Sequence, residues 1–183
     1  AALPCPVMNG FIPGHLKITG PEADEKSLMA YVHTALERAE KLGIEHIVFG
    51  SGGARKIPDG FERERAWEQL VDFGRRAAAV ARDHGVVLVT EPLRAKECNV
   101  LTTVGESARY VREVDDPGLM LLVDGFHWLE SDNDVESIAG NGDLIRHVHM
   151  ATSPSRVAPG VETCEGLATV FDALRRAGYD GRV

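Results

Sequence analysis

The strongest constraint on this chain is an alternation: short, nearly uninterrupted apolar runs recur, each followed by a longer stretch with helical spacing. The runs are residues 44–49 (IEHIVF), 86–90 (VVLVT), 119–123 (LMLLV) and 144–150 (LIRHVHM), with a weaker one at 6–9 (PVMN). Strands that are apolar on both faces need cover on both faces, the condition of a parallel sheet flanked by helices. Between the runs, apolar residues return at steps of three and four. Leu28, Val32, Leu36, Ala39 and Leu42 predict a helix over 21–42, with Pro21 suited to its first turn and Gly43 to its stop. Trp67, Leu70, Val71, Ala77, Ala78 and Ala81 predict a second over 61–84, ended by Gly85. Thr103 and Glu106 have the spacing of a capping box and open a third helix that stops before Pro117. A short helix is expected over 132–139 and a last one over 165–177, with Leu167, Val170, Phe171 and Leu174 on one face. This βαβαβ order means a parallel α/β sheet, either open and doubly wound or curved into a barrel, and periodicity does not choose between them.

With 183 residues the chain supports one substantial core and leaves little room for a second, so a single domain over 1–183 is expected. Its 28 acidic residues exceed its 20 basic ones for a net charge of −8, which weighs against nucleic acid or an anionic membrane as partner. No apolar run approaches the ~18 residues of a membrane-spanning helix. The segment Ala1-Ala2-Leu3-Pro4 has no charged stretch leading into an apolar one, so no signal peptide is expected. Cys5, Cys98 and Cys164 are too few and too scattered for a disulfide framework or a CxxC zinc site, and fit a reducing, cytoplasmic setting.

Both sheet architectures place the functional site at the C-terminal ends of the strands. There the runs lead into Phe49-Gly50-Ser51-Gly52-Gly53, Thr90-Glu91-Pro92-Leu93, Val123-Asp124-Gly125-Phe126-His127 and His147-Val148-His149. Taken singly, Glu91 could cap a helix or pair with Arg94, Asp124-Gly125 could be a turn, and His147 and His149 could be core histidines. Together, a Glu, an Asp and a His ending three successive apolar runs point to a divalent metal, because carboxylates are seldom buried unless paired or metal-bound. The mixed oxygen and nitrogen set suits Mn, Mg, Co or Zn. The glycine-rich segment 50–56 lacks P-loop spacing and reads as a loop at the pocket mouth, with Arg55 near it. Arg63, Arg65, Arg75, Arg76 and Arg82 read as solvated helix faces, and Trp67 and Trp128 as packing residues, Trp128 alternatively as a pocket wall. Cys98 has no nearby histidine to activate it as a nucleophile.

In order along the chain, Thr90-Glu91-Pro92-Leu93, Glu97-Cys98-Asn99, Asp124-Gly125-Phe126-His127, His147-Val148-His149-Met150-Ala151 and Arg156 resemble the xylose-isomerase-like superfamily of TIM barrels. Within it the resemblance is to sugar isomerases and epimerases, the ketose 3-epimerase and hydroxypyruvate isomerase group, and it covers nearly the whole chain. It implies a (β/α)8 TIM barrel, here incomplete and truncated at both ends, with about five full βα units plus the start of the last strand. A closed barrel takes at least ~200 residues. By the same resemblance Glu91 is a metal ligand and acid/base group, Asp124 and His149 are metal ligands, and Glu97, His127 and Arg156 contact substrate, with His147 one layer deeper. A second glutamate, the fourth ligand and partner acid/base, would follow the Gly178-Tyr179-Asp180-Gly181 turn shortly after Val183. The implied activity is metal-dependent isomerisation or epimerisation of a sugar or small hydroxy-carbonyl compound through an enediolate. A polyol-ketone dehydratase would share that chemistry. An endonuclease-IV-like nuclease would carry a further Asp-x-His after the histidine run, but residues 150–165 hold no histidine. An inactive fragment is the remaining reading. The expected partner is a carbohydrate-like small molecule, not nucleic acid or membrane, and a homo-oligomer is left open.

Overall fold

The computed structural model describes residues 4–131 and 133–183. Five strands, β1 (Val7–Asn9), β2 (His46–Phe49), β3 (Val87–Thr90), β4 (Leu119–Asp124) and β5 (Ile145–His149), form one sheet in the order of the sequence. All four pairings are parallel. An open doubly wound sheet reverses its strand order at a switch point, whereas this one runs β1 to β5 without reversal. The sheet is five staves of a half-barrel, and the choice that periodicity left open is settled for the barrel.

The covering helices are α1 (Glu25–Leu42), α2 (Gly52–Arg55), α3 (Arg63–Asp83), α4 (Val104–Val114), α5 (Gly125–Leu129), α6 (Val135–Ala139) and α7 (Gly166–Arg176). Helix α1 begins later than Pro21 because Asp24 caps it, accepting from the N–H groups of Lys26 and Ser27 at 3.1 and 3.3 Å. It stops where Gly43 takes a left-handed conformation (φ 70°) and returns its N–H to Ala39 and Glu40. At α4 the Thr103 hydroxyl accepts from Glu106 N at 3.1 Å, while the Glu106 carboxylate reaches back to Thr102 N at 2.9 Å. That is a capping box shifted by one residue. Of the short helix expected over 132–139, Val135–Ala139 is helical; Asp132 lies outside the described residues, as do residues 1–3 of the N-terminal segment. The last residues, 181–183, form no strand, and Arg182 pairs with Glu45 at 2.8 Å, just before β2. Among the described residues, no helix is long and apolar enough to cross a membrane.

Alternation along the strands separates two apolar layers. Ile47, Phe49, Leu88 and Leu121 face the helices and join Leu36, Leu70, Ala77 and Val170 in the main core. Val48, Val89 and Leu122 face the other way and form a second, smaller cluster on the concave side. In the β4–β5 pairing, Leu121 matches Ile145 and the next residue, Leu122, matches His147, so β5 carries one extra residue, Arg146. This bulge leaves Ile145 in the main core and turns His147 and His149 onto the inner face. It also sets Asp124 directly opposite His149 at the top of the sheet.

Candidate active site

Three strands deliver the central side chains at their C-terminal ends. Glu91 follows β3 directly, Asp124 ends β4 and His149 ends β5. His149 Nδ1 lies 3.2 Å from Glu91 Oε1 and 3.8 Å from Asp124 Oδ2. One ligand atom from each of the three residues falls within 4.8 Å of the others. The other Asp124 oxygen, Oδ1, accepts from His127 N at 3.0 Å, so this residue caps α5 while its carboxylate faces the centre. Gly50, at the end of β2, leaves room for the Glu91 carboxylate, since a Cβ there would collide with Glu91 Oε2.

In the trio an imidazole lies between two carboxylates, and each group shifts the others. Burial works to raise Glu91, but its hydrogen bond with His149 and the charges of His149, His127 and Arg55 outweigh it and hold the carboxyl below its ordinary pKa. Burial likewise works to lower His149, and Glu91 and Asp124 overcome it, so the imidazole is raised. Asp124 is raised by burial, with Glu91 adding to the effect. One layer down, His147 is pushed to about 4 by burial and by its neighbours His149 and His46. His147 stacks on His46 at 6.2 Å, which accords with its expected deeper position.

Beside the trio lies a second group. His127 Nδ1 accepts from Arg94 N at 3.3 Å, and His127 Nε2 stands 3.3 Å from Arg156 Nη2. Burial lowers the His127 pKa and favours the neutral ring. Both contacts come from donors, and a neutral ring accepts from only one of them, its other nitrogen carrying the proton. Arg156 also lies 3.5 Å from Glu97, whose carboxylate accepts from Arg94 Nε at 2.9 Å. Both guanidinium groups lie over the Phe126 ring, at 4.8 Å for Arg94 and 4.6 Å for Arg156. Arg156 holds a left-handed backbone (φ 52°), a conformation that costs energy for a non-glycine residue and clusters at functional positions. All six residues singled out in the sequence therefore meet at one end of the sheet, as a trio and an adjoining cluster.

Other expectations fare differently. Arg94 pairs with Glu97 and Glu130, not with Glu91. Arg55 is not at the pocket mouth but fully buried, at the end of a helical turn within the glycine-rich segment. Trp128 is buried with its indole N–H on Asp134 O, a packing role, and Cys98 is buried beside Gly52. Arg63 and Arg76 sit in ion pairs with acids on the helix faces, and Arg82 pairs with Asp116 in the loop before β4. The sequence offers Arg94 only as a possible partner for Glu91; its placement between Glu97 and Glu130 is visible only once the loop is folded.

As donors, two carboxylates and an imidazole on rigid strand ends fit a divalent cation, and Gly50 keeps the space beside Glu91 Oε2 free of a side chain.

The model of the xylose isomerase-like TIM barrel family matches residues 2–183. Over 117 residues the chain is 33% identical to a 3-dehydro-D-guloside 4-epimerase of Escherichia coli, covering 63% of this chain and 44% of that protein. Over 176 residues it is 27% identical to a D-psicose 3-epimerase of Ruminiclostridium cellulolyticum, covering 91% and 57%. The crystal structure of D-psicose 3-epimerase with D-tagatose from Clostridium cellulolyticum H10 superposes with a TM-score of 0.83 at 25% identity, over 96% of this chain and 61% of that one. The chain thus spans about half the length of the curated relatives it matches. By sequence along nearly its whole length, and by a fold that carries five consecutive staves of the barrel, the chain belongs to the xylose isomerase-like TIM barrel family.

Proposed function

We propose that this site serves a metal-dependent epimerase or isomerase acting on a keto sugar or related hydroxy-carbonyl compound. The observation that carries the reading is the convergence of Glu91, Asp124 and His149 at the ends of three successive parallel strands. The relatives named as a 4-epimerase and a 3-epimerase support the same class of chemistry. The protein's closed barrel would take three further staves from chain outside these residues, together with a second glutamate after Gly178-Tyr179-Asp180-Gly181 as fourth ligand and partner acid/base.

Glu91, Asp124 and His149 would hold the cation, which when bound supplies positive charge where negative charge develops on the substrate carbonyl oxygen. Glu91 turns Oε1 to His149 and Oε2 to the side-chain-free space over Gly50, so one oxygen can hold the centre while the other takes a proton from the carbon beside the carbonyl. The proton leaves that carbon, its bonding pair moves into the enediolate, and reprotonation at the opposite face inverts the centre. Return of the proton at the neighbouring carbon isomerises instead. The His127 ring and the Arg156 guanidinium would grip a substrate oxygen, and Glu97, tethered by Arg94, would accept from a substrate hydroxyl. An endonuclease reading gains nothing from a net charge of −8.

The test is exchange. Incubated with Mn2+ and a panel of ketoses and keto-glycosides in D2O, the full-length protein is expected to place deuterium at the carbon next to the carbonyl, read by NMR. Absence of exchange across the panel with metal bound contradicts the reading. Gly50→Ala offers a separate check. Its Cβ displaces only the flexible end of Glu91, so the chain is expected to fold normally by circular dichroism while binding Mn2+ about 10–100-fold more weakly by calorimetry.

A further inference from the structure

Beyond Gly50, the segment Ser51-Gly52-Gly53-Ala54-Arg55-Lys56 finds no use in the reaction above, yet it buries a complete guanidinium directly behind Glu91. Arg55 is 0% exposed. Its Nη1 donates to Phe49 O at 3.1 Å, and its Nη2 donates to Glu91 O at 2.8 Å and to Leu101 O at 3.3 Å. These carbonyls belong to the end of β2, the start of the loop after β3, and the segment before α4. No carboxylate lies within ion-pair distance of Arg55 among the described residues, and its Nε has no partner there. A buried cation satisfied only by main-chain carbonyls is costly to retain, so what it holds in place matters.

What it holds is the Glu91 peptide. The β2–β3 ladder ends at the Phe49–Thr90 pair, one residue short of Glu91. Beyond it, Glu91 N donates to Phe49 O at 3.2 Å, and Arg55 bonds that same oxygen with one arm and Glu91 O with the other. The arginine thereby closes a ring of hydrogen bonds around the Glu91 main chain and extends the strand's order one residue past the sheet. Phe49, whose ring centroid is 5.8 Å from the guanidinium carbon, packs along the same group.

We propose that Arg55 is a positioning residue for the metal centre: by clamping Phe49 O, Glu91 O and Leu101 O together it sets the direction from which the Glu91 carboxylate meets Asp124 and His149. The proposal rests on the metal-site reading above and adds the residue that preorganises it. The group is a planar fork, so lysine cannot replace it. Lysine keeps the charge but is a compact point donor that cannot span three carbonyls.

The test compares the parent chain with Arg55→Lys by Mn2+ calorimetry and by the electron paramagnetic resonance spectrum of bound Mn2+, with folding checked by melting in EDTA. The variant is expected to melt cooperatively, to bind Mn2+ about 10–100-fold more weakly, and to give an altered spectrum. A lower melting temperature with parental affinity and spectrum makes Arg55 a structural residue only and overturns the proposal while leaving the metal site standing. A parent chain that binds no Mn2+ overturns the site reading and this one with it. If Arg55→Lys does not fold, the unmodified chain labelled with 15N-arginine answers the question. The protected Nη–H signals of the buried guanidinium are expected to shift on adding Zn2+, and unmoved signals overturn the proposal.

Discussion

Replacing Glu91 with glutamine is expected to lower deuterium exchange into substrate by about 10²–10⁴-fold, the range that a positioned general base contributes. The amide is nearly isosteric, so the new side chain still fits over Gly50, but it cannot take a proton and is a weaker ligand. His149→Ala acts differently. It removes the only nitrogen donor of the trio and leaves Glu91 and Asp124 facing each other with no positive group between them. Its main expected effect is loss of metal, read by elemental analysis after dialysis, with exchange falling in proportion. The two variants therefore separate proton transfer from metal retention. Full exchange in both would place the reaction elsewhere, whereas a Glu91→Gln variant with metal bound and exchange lost is the expected pattern.

A large expected effect on stability comes from Gly118→Ala, remote from the site. Gly118 sits immediately before β4, where the backbone of α3 crosses close, and a Cβ at this position would collide with the carbonyl oxygen of Ala78. The obstacle is main chain, not the end of a flexible side chain, and Ala78 itself is 0% exposed in the main core. Helix α3 packs on α1, α4, β3 and β4, so moving it away disturbs most of that core. Overpacking of this kind costs roughly 1–3 kcal/mol and occasionally more. For a chain of this size each kcal/mol lowers the melting temperature by about 2–4 °C. Gly43→Ala is the matched control. Its φ of 70° carries a conformational cost of roughly 1–2 kcal/mol, but no neighbouring group lies within 4 Å of the added Cβ, so the loss there should be confined to that cost. A Gly118→Ala variant as stable as the parent, by urea unfolding, would show that the approach of α3 is softer than the structure has it.

The strands were legible because each is an apolar run whose ends are marked by residues unlike its interior. The same contrast exposed Glu91, Asp124 and His149, since ligand-type side chains directly after Val-rich and Leu-rich runs stand out. The boundaries drifted where side chains compete for backbone groups, as at Asp24, whose carboxylate starts α1 four residues after Pro21. Helices α2 and α5 left no periodic trace, because four or five residues make barely one turn. The bulge at Arg146 was illegible for another reason. Strict alternation would carry Ile145 to the same face as His147, and only the pairing with β4 shows the extra residue. Arg55 was misplaced because its partners are carbonyls of Phe49, Glu91 and Leu101, and main-chain acceptors leave no signature in a sequence.

The central claim is that Glu91, Asp124 and His149 hold one divalent cation. It is tested most directly by crystals of this protein grown with Zn2+ and measured at the zinc absorption edge. The expected result is an anomalous peak bonded to one oxygen of Glu91, one oxygen of Asp124 and one nitrogen of His149, at about 2.0–2.2 Å from each. No peak between the three residues, or zinc bound only elsewhere on the chain, would contradict it.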